Sequence, residues 1–175
     1  ASRPASGDIV FVEIDPQALA AVGSASRARS LYAQVVNRLV ESRAEMIVLD
    51  VNLRGTMGFF DDNALAEALT GAQGRVRTTA RFRAGGNAAR ELDLPLERFA
   101  ALAPPVFVDS GADRDGIIRH YRTRLVHEGW VIDSLATAIT PEPQIIDTSF
   151  HIDFGIDLDT IPRLPVSALL EAGDV

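Results

Sequence analysis

The chain has 175 residues and a formal net charge of −7; all 17 of its basic residues are arginine, and it contains no cysteine. The acidic balance excludes generic nucleic-acid binding, which needs surplus cations against phosphate. Missing cysteine removes disulfides, thiolate metal sites and thiol nucleophiles, and missing lysine removes chemistry that requires an ammonium. At this length folding hides roughly 70% of the extended chain's surface, enough for a real core. The sequence holds no run of about 18 apolar residues able to span a bilayer.

Residues 1–7 read as a polar lead-in and 8–175 as a single domain. Asp8 to Asp15 is an apolar strand signal ending in a carboxylate. Pro16 to Val22 reads as a short helix, with Asp15 as N-cap, Pro16 at the first helical position and Gly23 just past the end. From Arg29 to Glu41, Leu31, Val35, Leu39 and Val40 form a helical stripe. Glu45 to Asp50 is a second apolar strand, again ending in aspartate. Strand, amphipathic helix and strand predict a βαβ unit with the first two strands as parallel neighbours, both faces covered.

Leu53 to Phe60 reads as a Gly-containing loop and Asp62 to Thr70 as a helix. In Arg75 to Arg83 the period of two puts Arg75, Arg77, Arg81 and Arg83 on one strand face, expected to meet solvent. The stretch from Ala84 to Pro95 reads as an exposed loop, Leu96 to Ala103 as a helix and Val106 to Asp109 as a short strand. A turn over Gly111 to Gly116 leads into a strand from Ile117 to Val126. Trp130 to Ile139 reads as an amphipathic helix stopped by Pro141-Glu142-Pro143, Phe150 to Phe154 as a strand and Val166 to Glu171 as a closing helix. The expected fold is α/β: a mixed, mostly parallel sheet flanked by helices on both faces, starting with the βαβ unit.

The candidate ligand-binding residues are Asp15, Arg29, Asp50, Asp62, Asp115 and Arg119. Asp15 and Asp50, at the carboxyl ends of two neighbouring strands, would occupy the rim where open α/β sheets bind ligands. Asp62, at a helix start, suits a cap favoured by the helix dipole. Arg119 shares a strand face with Ile117, Tyr121 and Leu125, so it is expected to point inward and pair with Asp115, Asp50 or Asp15, with Arg29 joining them. His120, His127 and His151 lack the spacing of a zinc site. No cofactor or metal is expected.

The order of these pieces resembles the CHASE type 2 domain. The matching residues are Ile14-Asp15, Gly23, Arg29-Ser30-Leu31-Tyr32-Ala33, Ile47-Val48-Leu49-Asp50, Asp62-Asn63-Ala64-Leu65, Phe107-Val108-Asp109, Asp115-Gly116-Ile117-Ile118-Arg119 and the tail from Ile152 to Leu170. Ser24-Ala25-Ser26-Arg27-Ala28 departs from the family's tryptophan- and proline-rich segment, and the chain ends where the family continues into another strand, which reads as a truncated C-terminal end. The resemblance implies an extracytoplasmic sensor of a bacterial membrane-bound receptor, flanked by transmembrane helices in its parent. Its input would be an unknown small molecule or physical signal, and its output domain a histidine kinase, a nucleotide cyclase, a diguanylate cyclase or a serine/threonine kinase. An exposed sheet edge predicts a weak homodimer, and a dimerisation scaffold is the noncatalytic alternative.

Enzyme chemistry fits poorly. A strand-end phosphatase wants Asp-x-Asp and a lysine, but Asp50-Val51-Asn52 lacks the second acid and the chain lacks lysine. No nucleophile elbow, Walker loop or dinucleotide fingerprint is present.

Overall fold

The computed structural model describes residues 2–23, 28–84, 90–140 and 148–172. In chain order the first half forms β1 (Arg3–Pro4), β2 (Phe11–Glu13), α1 (Pro16–Val22), α2 (Ala28–Glu41), β3 (Ile47–Leu49), α3 (Phe59–Gly71), β4 (Val76–Ala84) and β5 (Arg90–Asp93). The second half forms α4 (Glu97–Ala100), β6 (Pro105–Phe107), β7 (His120–Arg122), β8 (Arg124–His127), β9 (Trp130–Asp133), α5 (Leu135–Ile139), β10 (Ser149–His151), β11 (Ile156–Asp157), β12 (Arg163–Pro165) and α6 (Val166–Glu171). The fold is α/β with mostly parallel pairing. β1 with β11, β2 with β12, and β4 with both β3 and β6 run parallel. β4 with β5, β7 with β10, and β8 with β9 run antiparallel.

The described residues gather into two compact units. One is drawn from Ala1–Glu45, Thr56–Gln73 and Asp153–Val175, the other from Met46–Gly55 and Gly74–Ile152.

In the first unit the stripe read from the sequence closes a helical core. Leu31 and Val35 of α2 pack with Ala18 of α1 and with Val166 and Leu169 of α6, with Leu39 beside them. Burying each such aliphatic side chain contributes about 1.5–3 kcal/mol. An adjoining stripe of α2, Arg29, Ala33 and Val36 at i, i+4 and i+7, is also buried, as are Asp62, Leu65 and Leu69 of α3. α1 is bounded as its sequence dictates: the Asp15 carboxylate accepts from Ala18 N at 3.0 Å, Pro16 opens the helix, and Gly23, at φ 72°, donates to Ala20 O.

The expected pairing of the first two long strands is corrected. β2 pairs with β12 and β3 with β4, so β2 and β3 are not sheet neighbours. The apolar stripe of α2 joins α1 and α6 in a cluster against which Val12 of β2 and Leu164 of β12 pack, so it covers a β2–β12 pair. Ile9, Val10 and Phe11 are accordingly about half exposed rather than covered on both faces.

In the second unit β4 is the central strand. Val76, Thr78 and Ala80 are fully buried on one face, and Thr78 Oγ1 donates to Ala103 O at 2.8 Å. A core of Ala80, Phe107, Leu125 and Ile132 joins β4 and β6 to β8 and β9. Three readings of this region change. The expected loop before Pro95 carries β5, which pairs with the second half of β4; residues 85–89 lie outside the described residues. The single strand from Ile117 to Val126 is two short ones split at the buried Thr123, each with its own partner. The helix expected from Trp130 is instead β9 followed by α5. Glu128 and Gly129, at φ 46° and 84°, turn β8 back on β9 with positive φ at both positions, as a type I′ hairpin turn requires. Ser134 then caps α5 by accepting from Thr137 N. Pro141 and Pro143 lie outside the described residues.

Candidate functional site

The register of the second unit assembles a charged cavity around Asp50. β3 runs parallel to β4 with Leu49 opposite Thr78, so the next residue, Asp50, leaves the strand beside Thr79. Side chains alternate along a strand, so Thr79 and Arg81 share a face, opposite the buried Thr78 and Ala80. On the antiparallel side Arg81 stands directly across from Asp93 of β5, which places Asp50, Thr79, Arg81 and Asp93 on one face. Thr79 Oγ1 donates to Asp50 Oδ1 at 3.1 Å, and the Arg81 guanidinium pairs with the same oxygen.

The loop after Asp50 forms the opposing wall. The Asn52 side chain accepts from Arg54 N at 3.0 Å, Leu53 is buried, and Leu53 O receives Leu96 N at 2.9 Å. This pins Arg54 with its Nε 3.5 Å from Asp93 Oδ1. The resulting cavity of about 150 Å³ is lined by Asp50, Asn52, Arg54, Thr79, Arg81 and Asp93 together with apolar loop residues. Two of the arginines expected to meet solvent on this face are half-exposed and paired with acids, Arg81 with Asp50 and Arg83 with Glu91, while Arg77 donates to Gly74 O and Val76 O.

The other candidates have different surroundings. The Asp15 carboxylate serves two helices, because β12 runs parallel to β2 and delivers the start of α6 beside it. Asp15 Oδ2 accepts from Ser167 N at 2.8 Å while Oδ1 caps α1. Pro165, the residue before α6, supplies no side-chain cap of its own. The Ser167 N–H is the main cause that holds the Asp15 carboxyl below its ordinary value of 3.8, against an opposing effect of desolvation.

Arg29 and Asp62 form an ion pair whose side chains are only 1% and 3% exposed. Asp62 is thus the acidic partner of a buried arginine rather than a solvent-facing cap, and it also accepts from Met57 N at 3.3 Å. Next to it Ser30 Oγ donates to Asp61. The signal was in the sequence: Asp62 lies on the stripe of Leu65 and Leu69, where a lone carboxylate needs a cation.

Arg119 pairs with Asp115 as expected but does not point inward. Its side chain is 42% exposed, and it holds Asp115 in a two-pronged grip at 2.9 and 2.8 Å and Asp113 at 2.9 Å. Ile117 is exposed as well, so the start of the expected strand lies at the surface, and of that face Leu125 is the residue that reaches the core. The grip closes the turn in which Asp113 N donates to Ile117 O and Gly116, at φ 82°, reverses the chain. Arg119 in turn holds the Asp115 carboxyl below the usual carboxylate range.

The histidines are closer than their sequence spacing suggested. His120 and His151 face each other across β7 and β10 with ring centroids 4.1 Å apart, and His120 Nδ1 is 3.7 Å from Asp113. His127 packs edge-on against Phe82. Among the described residues no group of three or more ligating side chains is arranged to hold a metal ion. A larger hollow of about 490 Å³ lies along α2 and α6, but its Arg38 and Glu41 neutralise each other at 2.9 Å and no candidate residue reaches it.

The CHASE2 domain family model matches residues 1–172, and the chain belongs to that family. CHASE2 domains are extracellular sensory modules of signalling proteins, not catalysts. Neither the curated proteins nor the solved structures gave a match to the chain. Among the described residues no helix is long and apolar enough to cross a membrane.

Proposed function

We propose that this CHASE2 domain is the ligand-recognition part of a membrane-anchored bacterial receptor, and that the cavity at Asp50 receives the input. The observation that carries this reading is the convergence of Thr79 and Arg81 on Asp50 at the carboxyl end of a parallel strand. Strand ends of open α/β sheets are where ligands collect, since side chains from successive strands meet there without filling the space. The output domain would be a kinase or cyclase on the cytoplasmic side. A ligand drives such a switch only through differential affinity for two states, a coupling typically worth about 1–3 kcal/mol.

The test is a thermal-shift screen of small polar metabolites on wild type and on Asp50→Ala. A hit that raises the melting temperature of wild type alone supports the reading. Hits that stabilise both proteins equally put the input elsewhere. A dimerisation scaffold is the second reading, favoured by Val126 and Val131, which lie opposite each other on β8 and β9 and are both well exposed beside Trp130. Concentration-dependent sedimentation lost on Val131→Ser would favour it.

A further inference from the structure

The charges around Asp50 define which ligand chemistry the cavity accepts. Two acids, Asp50 and Asp93, and two arginines, Arg54 and Arg81, share its wall, so the wall as a whole is neutral but strongly dipolar. The pairings are unequal. Arg81 is bonded to Asp50, whereas Arg54 Nε stands 3.5 Å from Asp93 Oδ1, beyond hydrogen-bond length. Asp93 Oδ1 is shut from solvent and accepts no hydrogen bond within the described residues. A buried carboxylate oxygen without a donor is costly, and a ligand N–H would relieve that cost.

A bare anion entering the cavity would meet two carboxylates, and a bare cation two guanidiniums, so either would exchange one attraction for one repulsion. A ligand that carries both charges avoids this. Its cationic end suits Asp93 Oδ1 and Asp50, while its carboxylate suits the planar forks of Arg54 and Arg81, which match carboxylate geometry. Size narrows the class further. The cavity has a volume of about 150 Å³. That lies well below the roughly 300 Å³ at which drug-sized pockets begin.

We infer that the Asp50 cavity binds a small ammonium–carboxylate zwitterion, an α-amino acid the size of alanine or serine. The inference rests on the reading of this cavity as the input site and adds the class of its ligand. Entry requires the Arg54–Asp93 ion pair, whose charged atoms stand 3.5 Å apart, to open around the ligand, so affinity depends on both residues.

Isothermal titration of the chain with L-alanine and L-serine, with acetate and ethylamine as half-ligands, tests the inference. Both amino acids should bind. Each half-ligand should bind at least about tenfold more weakly, because it leaves one charge set unmatched. Asp93→Asn, and Arg54→Gln on the half-exposed loop as the variant least able to disturb folding, should each weaken amino-acid binding by about tenfold or more. Failure of both amino acids to bind, half-ligands as tight as alanine, or undiminished affinity in Arg54→Gln would overturn the inference. Asp50-dependent binding of acetate, inorganic phosphate or a divalent cation instead would keep the cavity as an input site and overturn only the zwitterion.

Discussion

Replacing Asp62 with alanine removes the carboxylate from a pair whose side chains are 1% and 3% exposed, taking the Asp62 charge away from the Arg29 guanidinium in the packed seam of α2 and α3. Breaking a buried pair from one side typically costs about 3–5 kcal/mol, because the surviving charge keeps its desolvation penalty and loses the attraction that offset it. At this chain length about 1 kcal/mol moves the melting temperature by roughly 2–4 °C, so Asp62→Ala should melt about 6–20 °C lower. Thermal and urea unfolding followed by circular dichroism would measure it. The double variant Arg29→Met with Asp62→Leu separates charge from packing, since replacing both partners by apolar groups of similar volume is commonly close to neutral. The reasoning predicts that the double variant recovers most of what the single variant loses. A single variant within about 1 kcal/mol of wild type, or a double variant as unstable as the single, would refute it.

Further expectations concern the exposed clusters and the double cap. Asp15→Ala should destabilise at neutral pH. Since the folded-state carboxyl titrates below its ordinary value of 3.8, its contribution is fully present above that pH and is lost as pH falls through the folded-state value. The gap between wild type and variant should therefore close in acid, and a gap constant down to acid unfolding would contradict the assignment. Arg119→Ala should melt with wild type, because its pairs with Asp113 and Asp115 are solvent-screened. A large loss of stability there would mean that the turn it closes is integral to the fold. Sedimentation velocity should reveal a weak homodimer through the exposed β8–β9 face, and a strictly monomeric chain at several hundred micromolar would exclude that contact.

Local physics made parts of the fold readable. The Asp15-Pro16 start and Gly23 stop of α1, and the full extent of α6, follow from caps and short-range propensity. The alternation of Arg77, Thr79, Arg81 and Arg83 gave β4 and one face of the cavity. What stayed hidden was long-range or one residue deep. Nothing local tells β2 to choose Arg163–Pro165 over the more apolar Ile47–Leu49, since both are three-residue strands and the choice falls to long-range packing. The β8–β9 hairpin was masked by Leu135 to Ile139, whose helical signal extended backward over Trp130; the sign of a turn was the Glu128-Gly129 pair between two short apolar runs. Asp93, which completes the cavity, sat in a stretch whose polarity reads as loop until β4 pairs with it. Of the six candidates Asp50 alone lines that cavity, while Asp15, Arg29 and Asp62 are engaged in capping and ion pairing within the first unit.

The central claim, that an input at Asp50 reaches an output domain, is tested most directly in the parent receptor reconstituted in sealed vesicles with its extracytoplasmic side accessible. The output rate would be measured before and after addition of a pool of small polar metabolites, for wild type and for Asp50→Ala. The account predicts that wild type changes its rate on addition and the variant does not. An equal response from both would contradict it.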